Sequence, residues 1–127
     1  MTFGVLDASA ILAAYFHERG AEAVLEIVES ALVSAVNYSE ILSKALDEGD
    51  VFDVAVQKLA AMNFIVVPHD EALARRTGEL RQLTKARGLS IGDRACLALA
   101  ERERLPALTA DRAWIALDLP VEIRVIR

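Results

Sequence analysis

Four acids stand where apolar runs give way to polar turns in this chain of 127 residues: Asp7, Glu40, Asp93 and Asp111. Asp7 ends the run Phe3-Gly4-Val5-Leu6, which reads as a short buried strand. Glu40 falls in the first turn of a helix expected after a second strand, and Asp93 in the first turn of the helix leading to a fourth. Asp111 follows the fourth strand, Ala107-Leu108-Thr109, by two residues. In a parallel α/β layer, helices that follow strands begin at the strands' carboxyl ends, where such sheets hold ligands. The four acids are therefore expected along one edge. Crowded carboxylates repel and their pKa values rise unless a cation neutralises them. A divalent ion with oxygen ligands does this best. With no His or Cys at ligand spacing, the choice falls on magnesium or manganese rather than zinc or copper. Such a site suits phosphodiester hydrolysis by a metal-activated water, without a protein nucleophile. Ser9 and Thr109 lie beside the acids, where their hydroxyls would orient a water or a carboxylate.

Each residue also has a plain structural reading. Asp7, Ser9 and Asp111 suit helix N-caps. Asn37-x-x-Glu40 and Ser90-x-x-Asp93 resemble capping boxes. Acids near helix N-termini are favourable in any case. Thr109 would simply pack in its strand. What sets the functional reading apart is the return of four acids to one place.

Strands and helices alternate along the chain. Ser9 opens a helix over 10–16, a second covers 21–29, and 31–35 is a strand. Asn37 caps a helix to about 46, closed by Gly49, and 51–62 is a fourth helix. A strand at 64–67 turns through Pro68-His69-Asp70 into a long helix over 71–86, closed by Gly88. Ser90 opens a helix to about 102, Asp111 starts a short one carrying Trp114, and 121–126 is the fifth strand. The alternation predicts one α/β domain over 1–127, a mostly parallel five-stranded sheet with helices on both faces.

Composition fits a single folded domain: 54% of residues are hydrophobic and the net charge is -5. The longest apolar run, 10–16, is too short to cross a bilayer, and no basic stretch precedes an apolar one at the start. The expectation is a cytoplasmic, soluble protein without membrane attachment. Cys96 stands alone, which excludes an internal disulfide, and reads as a small buried residue. His17 and His69 are expected at the surface. Charge is uneven. Residues 1–63 hold 3 Lys+Arg against 10 Asp+Glu, and residues 64–127 hold 11 against 9. Arginine predominates in the second half, and its planar fork suits phosphate.

Taken in order, Leu6-Asp7-x-Ser9-x-Ile11, Asn37-x-x-Glu40, Leu89-Ser90-Ile91-x-Asp93-x-x-Cys96-Leu97-Ala98 and Leu108-Thr109-Ala110-Asp111-x-x-Trp114 resemble the PIN-domain nucleases. The VapC-type toxins of bacterial toxin–antitoxin pairs are the nearest likeness, and it covers essentially the whole chain. The resemblance implies a metal-dependent endoribonuclease that leaves 5′-phosphate and 3′-hydroxyl ends. It implies Asp7, Glu40, Asp93 and Asp111 as ligands of magnesium or manganese, with Ser9, Asn37 and Thr109 as supporting polar groups. Arg112 stands where some relatives carry a further acid. Arg94 and Arg112, next to the acids, are candidates for RNA phosphate contacts, or else for surface ion pairs. The resemblance further implies an antitoxin partner, whose tail would lie in a groove formed near Tyr15, Phe16, Leu25 and Phe52, and a homodimer. Those four side chains also suit the protein's own core.

Two other readings are open. A signalling receiver domain also clusters acids around magnesium, but needs an acceptor Asp after strand three and a Lys after strand five. Here Val67 leads into Pro68-His69-Asp70, and strand five runs into Arg127. A binding module would keep the acids only as caps.

Overall fold

The computed structural model describes residues 2–127. Its centre is the shortest strand, β1 (Val5–Leu6), flanked by β2 (Leu32–Ser34) and β4 (Ala107–Thr109). β3 (Ile65–Val67) and β5 (Ile123–Val125) form the edges, giving the order β3-β2-β1-β4-β5. Every pairing is parallel, with Val5 opposite both Leu32 and Ala107, and Leu6 opposite Leu108.

Side chains on a strand alternate between faces, and β1 and β4 are apolar on both. Leu6 and Leu108 face a core built with Ile11, Val24, Ile41 and Leu59. These come from α1 (Ala8–Tyr15), α2 (Ala21–Ile27), α3 (Ala35–Asp47) and α4 (Phe52–Ala60). Val5 and Ala107 face a second core with Leu73, Leu80, Leu97 and Trp114. That layer is α5 (Glu71–Thr84), α6 (Ile91–Glu103) and a 3-10 turn over Arg112–Ala116. Strands apolar on both faces are what a sheet covered on both sides requires. Gly4 lets β1 lie close to β4, because a Cβ there would overlap Leu108 and meet the Pro106 carbonyl.

The expected fold class holds: one α/β layer, five strands and helices on both faces. Several local expectations do not. Phe3 is 47% exposed and precedes the strand instead of joining the buried run. Of the two caps suggested for α1, Asp7 forms, its carboxylate accepting from the Ala10 N–H, and Ser9 does not. Ser34, not Asn37, caps α3, which begins three residues earlier than its polar signature suggests. That shift puts Asn37 inside the helix, and Glu40 in its second turn. Asn37 and Glu40 therefore form no capping box. His69 is half-buried and not on the open surface, with Nδ1 enclosed where the turn after β3 meets α5. Among the described residues no helix is long and apolar enough to cross a membrane.

Candidate active site

The end of β1 delivers Asp7 to a nearly closed position, 4% exposed. Its backbone is extended, so the carboxylate turns back over the first turn of α1. Oδ1 accepts from the Ala10 N–H at 2.8 Å and the Ser9 hydroxyl at 2.7 Å. Oδ2 accepts from the Thr109 hydroxyl at 2.6 Å. Those hydroxyls are themselves oriented: Ser9 Oγ accepts the Ala110 N–H at 2.9 Å, and Thr109 Oγ1 accepts the Asp111 N–H at 3.0 Å. Each hydroxyl thus has its acceptor role filled by the loop after β4 and its proton directed at Asp7. Burial pushes the Asp7 carboxyl up from 3.8 to about 6; its bonds to Thr109, Ala10 and Ser9 oppose this, and the Asp93 charge adds to it.

Glu40 and Asp93 approach from two helices. Asn37 Nδ2 donates to Glu40 Oε1 at 2.9 Å and to the Gly92 carbonyl at 3.0 Å, which joins α3 to the first turn of α6. Asn37 is 1% exposed, and its Oδ1 has no hydrogen-bond partner. Gly92 leaves room for the Glu40 carboxylate, which a Cβ would overlap. Asp93 accepts the Ser90 N–H at 3.0 Å, and Ser90 Oγ accepts the Asp93 N–H at 3.1 Å. Of the two capping boxes the sequence suggested, this is the one that forms. Asp111 accepts the Ala113 N–H at 3.0 Å and caps the 3-10 turn, its side chain exposed.

Cys96, on α6, is fully buried. Its thiol is pushed well up, first by burial, then by the charges of Asp7, Asp93 and Glu40. Asp111 is one backbone link away from Asp7, through Thr109. Among the described residues no three of these acids close around a single point as a ready-made cage. Magnesium seldom needs one: it keeps several waters and is commonly held by one or two carboxylates. The donor set is all oxygen, and its most buried member has a carboxyl held up by desolvation, a cost that a cation relieves. The residues fit a hard divalent ion.

The sequence profile of the PIN domain matches residues 4–119. The chain belongs to the PIN domain family. No curated protein matches it in sequence. Among solved structures it is similar to a toxin–antitoxin complex from Klebsiella pneumoniae, at 22% identity and TM-score 0.73, over 94% of this chain and 99% of that one. It is similar to FitAcB from Neisseria gonorrhoeae at 21% identity and TM-score 0.72, over 99% and 98% of the two chains. The Mycobacterium tuberculosis toxin VapC20, described as cleaving the sarcin–ricin loop, matches at 14% identity and TM-score 0.73, over 96% and 99%. At these identities the likeness is one of fold.

In this PIN domain the two arginines beside the acids diverge. Arg94 is half-buried, and its Nη1 donates to the Thr77 carbonyl at 2.8 Å, tying α6 to α5. Arg112 Nη1 donates to the Arg127 carbonyl at 2.8 Å, on the other flank of the site. Asp70, the acceptor a receiver domain would need, caps α5 and lies 3.4 Å from Arg102. Nine residues of α6 separate Arg102 from Asp93, about 14 Å of helix, so Asp70 is not among the acids. Tyr15 is buried and donates to Asp50, Phe16 is half-buried, and Leu25 and Phe52 are about half exposed. Sequence reasoning missed the Asn37–Gly92 bond and the space that Gly92 makes for Glu40. The available signal was a glycine, a poor helix former, in the first turn of α6.

Proposed function

We propose that this PIN domain is a metal-dependent endoribonuclease, the toxin of a toxin–antitoxin pair. The observation that carries the reading is Asp7: a carboxylate 4% exposed at the end of the central strand, gripped by three donors, with its pKa raised to about 6. Asp7, Glu40, Asp93 and Asp111 are the proposed ligands of a magnesium or manganese ion. Such an ion supplies a Lewis acid for the phosphate and lowers the pKa of a bound water. Ser9 and Thr109 fix the direction in which Asp7 offers its lone pairs. Asn37 holds Glu40 against Gly92, so that it faces the same cleft. Burial of Asp7 and the apolar floor at Cys96 keep the local dielectric low, which strengthens each charge interaction. The substrate is RNA and the protein partner an antitoxin. Its proposed seat is a cavity of about 240 Å³ beside Tyr15, Leu25 and Met62. A homodimer and a cytoplasmic location belong to the same proposal.

A non-catalytic module is the second reading. Asp93 and Asp111 favour it, because both carboxylates are already satisfied as caps. Incubation of total bacterial RNA with the purified chain, in magnesium, manganese or EDTA, separates the two. Asp93→Asn serves as the paired variant, since asparagine can still accept the Ser90 N–H. Discrete metal-dependent cuts, absent with Asp93→Asn, are the expected result. Cleavage of equal strength by the variant removes the proposed site. Gly92→Ala gives a finer check. The fold should tolerate it, because only the mobile tip of an exposed glutamate is displaced. Cleavage should fall by about a hundredfold, the size of loss that a small misplacement of a catalytic group produces. An unchanged rate would show that Glu40 need not be held there.

A further inference from the structure

We infer that Arg19, Arg112 and Arg127 form a phosphate subsite that holds the RNA strand beside the acids; this rests on the nuclease reading above. The three residues come from distant parts of the chain: the turn after α1, the 3-10 turn after β4, and the segment beyond β5. With Ala110 they line one open cavity of about 490 Å³. Their arrangement is fixed by backbone bonds. Arg112 Nη1 donates to the Arg127 carbonyl at 2.8 Å, and Arg127 Nη1 donates to the Arg19 carbonyl at 3.1 Å. Among the described residues the one acid paired with any of them is Glu18, 3.8 Å from Arg127. Three cations around one cavity repel each other unless an anion enters. Guanidinium groups meet phosphate oxygens with two parallel donors.

The cavity is continuous with the acid site. Its Ala110 gives its N–H to Ser9, whose hydroxyl donates to Asp7. A neighbouring cavity of about 480 Å³ has both Ser9 and Arg127 in its wall, with Glu18 and Glu48 offset there by Arg127 and Lys44. A third cavity, further along α3, shares Leu12 and Lys44 with that one and has the other sign. It measures about 420 Å³ and is lined by Glu40 and Asp47 against the single cation Lys44. Positive charge is therefore densest at the three arginines and falls away along α3. Arg94, one residue from Asp93, takes no part, since it is turned to α5.

The test uses a fluorescein-labelled single-stranded RNA of twelve nucleotides, titrated in EDTA so that it is bound without being cut. Anisotropy is followed across a salt series for the wild type, Arg19→Gln, Arg112→Gln, Arg127→Gln and the triple variant. Arg104→Gln, at the far end of α6, is the charge-matched control. Each cavity variant should reduce the slope of log affinity on log salt by about 0.7, the value for one phosphate contact on a single strand. The triple variant should bind at least about tenfold more weakly at low salt, and the control should bind as the wild type. Arg19→Gln removes no side-chain hydrogen bond among the described residues, so its result does not depend on folding. Wild-type affinity and slope in the triple variant would overturn the subsite; if the wild type still cuts RNA in magnesium, the nuclease reading stands without it. A wild type that neither binds nor cuts overturns both. A glutamate-rich peptide that binds through the same arginines while RNA does not would assign the cavity to a protein partner and overturn the proposal.

Discussion

Asp7→Asn is expected to yield a folded protein, more stable than the wild type at pH 7 without metal, whose RNA cleavage has fallen by at least about a thousandfold. The loss follows from the removal of a charged ligand whose effect on the transition state is several kcal/mol, each 1.36 kcal/mol being about tenfold. The gain in stability has a separate cause. Holding the carboxylate ionised at a pKa raised from 3.8 to about 6 costs roughly 3 kcal/mol at neutral pH. Asparagine carries no such cost and caps helices as well as aspartate does, so the Ala10 bond survives. One of the Ser9 and Thr109 hydroxyls loses its acceptor, at about 1 kcal/mol. The balance is favourable by about 2 kcal/mol. Urea denaturation in EDTA at pH 7.5, beside single-turnover cleavage in magnesium, measures both quantities. A variant that is less stable, or that still cuts, contradicts this account of Asp7.

The wild type in EDTA should lose stability as the pH rises from about 4 to about 7. Asp7 has a folded-state pKa above its unfolded value. Its contribution is therefore fully present below about 3.8 and is lost as pH climbs through about 6. The size of the loss is roughly 3 kcal/mol, and Asp7→Asn isolates it, because every other titrating group is common to both proteins. Magnesium should restore stability at pH 7 by mass action on the folded form. It should do so far less at pH 4, where the ligand is protonated. Melting temperatures of the two proteins across this range, with and without magnesium, give the comparison. Parallel pH curves for wild type and variant would mean that Asp7 stays open to water.

The parts of the molecule that short-range chemistry dictates could be read from the residues. Buried strands at Val5-Leu6 and Ala107-Leu108-Thr109 follow from uninterrupted apolar runs between turn residues, and all five strands form. Ser90-x-x-Asp93 was legible as a capping box because both of its bonds close within one turn. Asn37 was not legible. Its polarity suggests a cap, yet its partners are Glu40 on its own helix and Gly92, 55 residues further on. Ser34 supplies the cap instead, at the very end of β2. Arg94 and Arg112 look equivalent in sequence, each following an acid. Only the packing of α5 on α6 turns Arg94 inward, to the Thr77 carbonyl. Arg19 and Arg127 carry no local mark, since the backbone bonds that assemble the cavity link residues 108 apart.

The bond from Thr109 to Asp7 spans 102 residues and lies between the ends of adjacent central strands. Contacts of such separation form late, after the intervening chain has paid its entropy of closure. During synthesis β1 emerges long before β4. Until β4 is made, Asp7 lacks its neighbouring strand, its Thr109 donor and the Asp111 loop that orients both hydroxyls. On the proposed nuclease reading, a chain still lacking β4 carries an unassembled site. The proposed site is thus timed by the chain itself: it closes only when a residue made 102 positions after Asp7 has docked beside it.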